Sequence, residues 1–522
     1  MADNVQYPDY AGTSDATIHL GQQRVKCVLF MPDEPPRAGS GYQVQDTGRG
    51  DIVHRATDDL SKTAHIRAEL ITQIQTARHK VMFCSFLFAD DEIVQALCEA
   101  AERLHGGVYI LTALGKHLRA EVLELDDEID TQTARLQERA KRHEEHLRRL
   151  AQAGAWLRSA EDCHAKFCVT DDACAIITSA NSTKEAYEIN PEDGLTLHQP
   201  LAACEFGRLF AHIWQHLTTL ESLPGVRLDV HSLPLLNNVP WRPLVGDNNS
   251  RPAATLRKSE TSLLDCAVDV INRASNHLTI ATYSFMGMED HPVGAALQRA
   301  VERGVIINLL VQPRNHIEAQ RLCLNWLYRL APKQVHLHGH KRTHTKSIVA
   351  DNQCVLLWTG NLDARHGWYD GIEVGVVVED SGVAAALSRW TSSVMQRRTH
   401  TTLISPSVRQ LVDAGFPIAL PGEWELMLPA KTRTESLIHS LQHHPVELIE
   451  ISGQLLLRSA DGLGLHIKVD YARRRIDVVR LQQHFSNGNA RNKGWLAEST
   501  LKLHLPNVPV QQSKGNKKGP RS

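Results

Sequence analysis

No stretch of the 522-residue sequence approaches the roughly 20 consecutive apolar residues that a bilayer-spanning helix requires. The start, Met-Ala-Asp-Asn-Val-Gln-Tyr-Pro, also lacks a basic patch followed by an apolar segment, so neither membrane spanning nor a secretory leader is expected. Cysteine is absent after Cys354, and the ten that occur are scattered from Cys27 onward, which excludes the framework of a small disulfide-stapled domain and fits a reducing cytoplasm. An excess of one charge is lacking too: 57 Lys and Arg against 59 Asp and Glu leave a formal net charge of -2. What remains is an ordinary globular composition, 42% hydrophobic and 22% charged, which excludes wholesale disorder, collagen and a pure coiled coil. The length corresponds to about three or four domains.

The chain repeats itself. Residues Lys80 to Leu111 read as an apolar strand (KVMFCSFLF), an amphipathic helix (DDEIVQALCEAAERL), a Gly pair and a second strand (VYILTAL). Residues His277 to Val311 read the same way, as HLTIATYSF, HPVGAALQRAVERG and VIINLLV. Each is a strand, crossover helix, strand unit of the kind that builds parallel sheet, and helical segments (Ser61 to Ala77, Ser259 to Ser275) precede both. Farther on, HAKFCVTDDACAIITSAN at 164–181 matches HTKSIVADNQCVLLWTGN at 344–361 in spacing, so the chain is a tandem duplication of an α/β unit.

Around the repeats, residues 1–60 read as an N-terminal extension, and Leu223 to Pro252 carries many Pro, Asn and Gly residues without a period, which predicts a linker over 223–257. Between Gly115 and Gly154 there is no Gly or Pro, and Leu118, Val122, Leu125, Ile129, Leu136, Leu147 and Leu150 recur near a 3.5-residue spacing. This predicts a helical insertion over 116–153, packed along its own domain or available to a protein partner or a second copy of the chain. After His400 the pattern alternates: Leu465, Ile467, Val469 and Tyr471 against His466, Lys468 and Asp470, then Arg473, Arg474 and Arg475, then Ile476 to Leu481, a β-hairpin with a basic turn. Residues 401–505 are expected to form a small α+β domain and 506–522 a disordered basic tail. From residue 401 onward 16 Lys and Arg face 10 Asp and Glu, a local excess of six positive charges.

The same polar residues recur at the same offsets in both copies. His164, Lys166 and Asp171 fall at 0, +2 and +7, and His344, Lys346 and Asp351 repeat those offsets; Ser179 and Asn181 in one copy answer to Thr359 and Asn361 in the other. On a strand, residues i and i+2 share a face, so His and Lys stand side by side. An imidazole beside an ammonium, with neutral donors converging, is the equipment for nucleophilic attack on an anionic phosphoryl group. If two such sets face each other, one His attacks phosphorus while the other protonates the leaving oxygen, and the acid and base roles then exchange for the attack of water. No metal or other cofactor is required. Cys163, Cys168 and Cys174 surround His164, but their spacing fits no structural zinc pattern, and Cys168 answers to Ile348 of the second copy, an apolar strand position. Lying on the His164 face, Cys168 is a position where the site could be oxidised. His466-Ile467-Lys468 lacks the Asp and Asn that follow elsewhere and is read as strand surface.

These residues resemble the motif of the phospholipase D superfamily, His-x-Lys with Asp five residues past the Lys, then a small Gly/Ser/Thr stretch and Asn, over roughly residues 61–400. The resemblance implies an α/β fold: a tandem pseudo-twofold pair of α-β-α-β-α lobes (61–222 and 258–400), with the C-terminal domain appended. It implies a phosphodiesterase working through a phosphohistidine at the lobe interface, His164 as nucleophile, His344 as general acid, and Lys166, Lys346, Asn181 and Asn361 on the phosphate. It also places an acidic residue some 28 residues past each His to orient an imidazole, which here gives Glu192 and Glu373. Asp171 and Asp351, before turns, are assigned to the motif's architecture, and the hydroxyls of Ser179 and Thr359 to its small-residue stretch. In that stretch Thr178 and Trp358 replace the usual small residue, which is expected to narrow the pocket.

The motif fixes a phosphodiester without naming its owner. The net-positive C-terminal region, with Arg473, Arg474 and Arg475, can extend a cleft that tracks a nucleic-acid backbone, so a nuclease acting on DNA or RNA is the favoured expectation. The alternatives are a phospholipase D or phosphatidyltransferase acting on phospholipid, and a non-catalytic nucleic-acid-binding protein.

Overall fold

The structure is a computed structural model that describes residues 28–32, 50–57, 65–115, 117–118, 132–234 and 245–404, apart from 248, 258, 315–316 and 365, together with strands of the C-terminal region. Residues Phe30–Thr402 form one compact unit that contains both lobes.

Each lobe is a nine-stranded mixed sheet. In the first, the strands Val81–Cys84, Val108–Leu111 and Trp156–Ala160 run parallel, and Phe167–Thr170, Cys174–Thr178 and Glu192–Leu197 continue the sheet antiparallel from Val81–Cys84. The second lobe repeats this with His277–Thr282, Ile306–Val311 and Val335–Gly339 in parallel and Ser347–Ala350, Cys354–Trp358 and Ile372–Val378 antiparallel. The central strands are buried at every position, as their unbroken apolar runs require when both faces are covered. Crossover helices follow: Asp91–Arg103 is capped by the Asp90 carboxylate, which accepts the Ile93 N–H at 3.1 Å, and buries Ile93, Val94, Leu97 and Ala100.

Two segments read as lying outside the lobes belong to them. Ile52–Thr57 pairs along Glu192–Leu197 at the edge of the first sheet, and Ser250–Leu256 pairs along Ile372–Val378 at the edge of the second. Their turn-rich flanks hid them; the strands are short, and Pro252 is tolerated because an edge strand has one side without a ladder. One apolar cluster, with Phe167, Val169 and Ile177 from the first lobe and Val355, Leu357 and Val374 from the second, joins the two.

The helical insertion is described from Gln132 to Gln152. Its second half packs on its own lobe: Leu147 and Leu150 enter the first-lobe core, and buried His143 accepts the Phe88 N–H at 2.9 Å while its other ring nitrogen meets Ala113 O at 2.9 Å. Leu147 and Leu150 are thereby used within the lobe.

In the C-terminal region the described residues are strands: a four-stranded sheet of Ile418–Leu420, Leu465–Asp470, Arg475–Gln482 and Leu496–His504, and a three-stranded sheet of Glu425–Met427, Gln454–Ser459 and Val446–Ile451. The expected hairpin is present, with Asp470 opposite Arg475. Arg473, Arg474 and the tail from Pro506 lie outside the described residues.

Candidate active site

Both motif copies enter one site at the lobe boundary, and each is fastened to the opposite lobe. The His164 N–H donates to Ile372 O at 3.1 Å, and the His344 N–H donates to Pro191 O at 3.0 Å. The residue after each acceptor is the downstream carboxylate, so the pairing crosses: His164 Nδ1 lies 2.9 Å from Glu373 Oε1, and His344 Nδ1 lies 2.9 Å from Glu192 Oε1. The Ile372 N–H returns a bond to Asp162 O at 2.9 Å, whereas Pro191 has no N–H to return.

Lys166 and Lys346 are fully buried, and their ammonium groups donate to the carbonyls of His164 at 2.5 Å and His344 at 2.7 Å. The hydroxyls of Ser179 and Thr359 donate to Glu192 and Glu373 while accepting the N–H of Asp193 and Val374. These hydroxyls hold the carboxylates from behind. Gly360 lets the carboxylate approach closely, since a Cβ at that position would stand 3.1 Å from the Glu373 carboxyl carbon; the first lobe has Ala180 at the equivalent place. Asn181 and Asn361 occupy equal places past these hydroxyls, each with a buried side-chain oxygen that has no hydrogen-bond partner among the described residues.

Asp171 and Asp351 lie away from the chemistry, in tight turns between antiparallel strands. Asp171 and Asp172, like Asp351 and Asn352, adopt φ of 51° to 55°, the left-handed region that Asp and Asn tolerate best among side-chain-bearing residues. The Asp171 carboxylate accepts the N–H groups of Arg78, His79 and Lys80 at 2.7 to 2.9 Å, and Asp351 does the same for Ser275, Asn276 and His277. Each aspartate thus ties its turn to the start of the central strand.

The substitutions Thr178 and Trp358 add their bulk to the interior. Thr178 donates to Asp193 O at 2.8 Å, and Trp358 is fully buried, 6.0 Å from Trp368. Cys168 likewise packs in the first-lobe core, where burial pushes its thiol far above the ordinary range, so it is not the oxidisable group of the site. The cysteines that meet near His164 are Cys84 and Cys163, with sulfur atoms 3.7 Å apart. Among the described residues no group of three or more His, Cys, Asp or Glu side chains is arranged to hold a metal ion.

The charges form one coupled cluster. Burial, with Lys166 beside it, lowers His164 to about 4, and burial with Lys346 takes His344 well below its usual value. Burial raises Glu192 to about 7 and lowers Lys346 to about 7; Glu373, despite burial, is held below the ordinary carboxylate range by His164. The two histidine side chains, 24% and 16% exposed, are the members of the set that open to solvent. Sequence reasoning missed two contributors. Asp193, fully buried and raised to about 6 by burial, accepts the Lys346 N–H at 3.3 Å. Tyr283 sets its ring edge-on to His344, centroids 5.4 Å apart. Neither belongs to the repeated motif; Asp193 answers to Val374, and the run Asn-Pro-Glu-Asp-Gly resembles a turn.

A family described as "Cardiolipin synthase, PLD-like domain" matches residues 70–214 and 267–395, which takes in both motif copies. Cardiolipin synthase A of Klebsiella pneumoniae is 22% identical over 393 residues, covering 69% of this chain and 74% of that protein. Cardiolipin synthase A of Proteus mirabilis is 26% identical over 205 residues, 38% of this chain and 39% of that protein. Among solved structures, a phosphatidylserine synthase from Haemophilus influenzae Rd KW20 aligns with a TM-score of 0.49 at 14% identity, over 72% of this chain and 89% of the other.

Proposed function

The chain belongs to the phospholipase D-like family and is an enzyme of phosphodiester chemistry, and on that premise we propose that it transfers a phosphatidyl group between alcohols through a phosphohistidine. The nuclease expected from the basic C-terminal region is overturned: the family match and the curated relatives are named for a phospholipid synthase, and an excess of six charges outside the repeat carried no chemistry of its own. One observation carries the new reading, namely that two complete motif copies share one site in a chain whose matched segments are those of a cardiolipin synthase family.

In the proposed reaction Glu373 holds the Nδ1–H of His164, which leaves Nε2 to attack the phosphorus of a phospholipid. Lys166, Lys346, Asn181 and Asn361 surround the developing oxyanions, where buried cations act most strongly. His344, oriented by Glu192, gives its proton to the departing alcohol. It then takes a proton from the acceptor hydroxyl, whose oxygen displaces His164 and restores the free enzyme. Water as acceptor gives phosphatidic acid; an alcohol gives a new phospholipid.

The test is incubation of the full chain with phosphatidylglycerol in mixed micelles, followed by mass spectrometry of the lipids. A product bearing two phosphatidyl groups supports the proposal. Intact phosphatidylglycerol, under conditions where His164 is competent to react with a small activated phosphodiester, overturns the lipid reading.

A further inference from the structure

Beside His164 the first lobe carries a pair of thiols that the second lobe lacks beside His344. Cys84 ends the strand Val81–Cys84, and Cys163 directly precedes His164; both are buried free thiols, with sulfur atoms 3.7 Å apart. The lobes match residue by residue here. Ser85 Oγ donates to Leu87 O and accepts the Ser182 N–H, as Thr282 Oγ1 donates to Ser284 O and accepts the Leu362 N–H, so Cys84 answers to Ala281. Cys163 answers to Thr343, whose hydroxyl lies 3.1 Å from that of Thr345. The second motif copy is complete with a methyl group and a hydroxyl at these places, so sulfur is not what builds a motif lobe.

The two thiols are held differently. Cys84 is paired on both sides, with Phe167 and with Leu111 of the neighbouring strands. Cys163 lies outside the strands and makes a single bridge, to Ile372, whose carbonyl accepts the His164 N–H and whose neighbour is Glu373. Contact with Cys84 lowers the Cys163 thiol below its ordinary value, whereas burial raises Cys84 well above its own. Cys163 is also the more accessible, at 8% against 1%, and it adjoins a histidine side chain that is 24% exposed. A thiol that ionises more readily beside one that does not is the arrangement of an attacking cysteine with its resolving partner.

We infer that Cys84 and Cys163 form a reversible disulfide that switches the site off by drawing His164 away from Glu373. The inference goes beyond phosphatidyl transfer and rests on the reading above only for His164 as the reacting histidine. The oxidant is hydrogen peroxide, a molecule little larger than water. The Cys163 thiolate attacks one peroxide oxygen, the O–O bond breaks, and hydroxide leaves, taking up the proton the thiol gave; Cys163 is now a sulfenic acid. The Cys84 sulfur then attacks that of Cys163, the S–S bond forms, and the sulfenic hydroxyl departs with the Cys84 proton as water. Two thiols have lost two electrons, and one peroxide has become two waters. The sulfurs must close by roughly 1.6 Å to bond. Because Cys84 is fixed within the sheet, the displacement falls on Cys163 and on His164 beside it, and a shift of about 1 Å at a reacting group can cost about 10²-fold in rate.

The experiment treats the full chain with hydrogen peroxide, blocks remaining thiols by alkylation, and divides the sample. One part is mapped by peptide mass spectrometry, one is followed by amide hydrogen exchange, and one is assayed with a small activated phosphodiester before and after dithiothreitol. Expected are a linked Cys84–Cys163 peptide, faster exchange over 162–165 and 372–373, and a loss of turnover of about tenfold or more that dithiothreitol restores. Cys163→Thr, which copies the second lobe, should keep its oxidised turnover within about twofold of its own reduced turnover, a ratio in which any loss of folded protein cancels. Cys84→Ala should form no link and should lose turnover beyond recovery by dithiothreitol, since nothing traps the sulfenic acid before it oxidises further. No linked peptide in the oxidised wild type overturns the inference, and so does a link that leaves exchange, or the turnover of a competent enzyme, unchanged. Inactivation of Cys163→Thr as fast as wild type overturns it as well, because another residue is then the target. A reduced enzyme that never reacts with the phosphodiester, yet forms the link with the expected change in exchange, supports the switch and overturns the reading of His164 instead.

Discussion

His164 takes its orienting carboxylate from the other lobe: Glu373, 209 positions farther along the chain, lies 2.9 Å from its Nδ1. His344 is served in the same crossed manner by Glu192. Neither lobe holds a finished catalytic histidine by itself, which gives a physical reason for the duplication to remain within one chain.

The crossed pair is tested by Glu373→Gln. The amide keeps the size of the carboxylate but cannot stabilise an imidazolium, so the rate of phosphoenzyme formation should fall about 10²-fold, with thermal unfolding showing a folded protein. A rate within twofold of wild type would remove Glu373 from the mechanism.

The pH dependence follows from the buried charges. Held at about 4 by burial and Lys166, His164 is a neutral nucleophile at any pH above that value, so the acid limb of kcat/KM should lie well below the usual histidine range. Glu192 and Lys346, both near 7, lose their protons as the pH rises through neutrality, which deprives the His344 pair of its shared proton and the phosphate of a cation. Activity should therefore decline on the alkaline side of about 7. Glu192→Gln removes the charge that supports Lys346 and should move that limb to lower pH; a limb that stays in place or moves upward contradicts the assignment.

Asp171 supplies a stability test outside the chemistry. Although burial by itself raises it, three backbone N–H groups hold its folded-state pKa below the ordinary carboxylate value. A depressed pKa stabilises the fold above the unfolded value of about 3.9, and this contribution is lost as pH falls through the folded-state value. Asp171→Asn, which tolerates the same left-handed backbone, should cost about 1–2 kcal/mol in urea unfolding at neutral pH. The difference from wild type should shrink under acid conditions; a constant difference would mean that the charge is not what matters.

In the proposed reaction the positive charge at the phosphate comes from Lys166 and Lys346, so turnover should persist in excess EDTA. Complete loss on chelation, reversed by a divalent ion, would require a different mechanism.

Much of this was legible in the linear chain because duplication makes each motif residue confirm its counterpart. His164 and His344, with their lysines, asparagines and aspartates, recur at fixed offsets, and both strand-helix-strand units carry the apolar runs of a sheet covered on two faces. What the chain hid lies where one copy departs from the other. Glu192 sits in a turn-like run, yet it is fully buried, and the segment of the other lobe that carries His344 is fastened beside it. Asp193 and the Cys84–Cys163 contact have no charged or thiol counterpart in the opposite lobe, so the repeat could not expose them. The edge strands Ile52–Thr57 and Ser250–Leu256 draw their order from long-range pairing rather than from local pattern. The basic C-terminal residues misled because net charge reports on possible partners and not on the reaction.

The central claim is a covalent phosphohistidine on His164 that His344 helps to form and discharge. It is tested most directly by incubating the His344→Asn enzyme with an activated phosphodiester, quenching, and mapping the adduct by peptide mass spectrometry under conditions that preserve phosphoramidates. The account predicts a mass increase confined to the peptide containing His164, absent in the His164→Asn protein. An adduct on His344 in the His164→Asn protein, with none on His164 in its reciprocal, would reverse the roles, and no adduct in either protein despite turnover by the wild type would contradict covalent catalysis altogether.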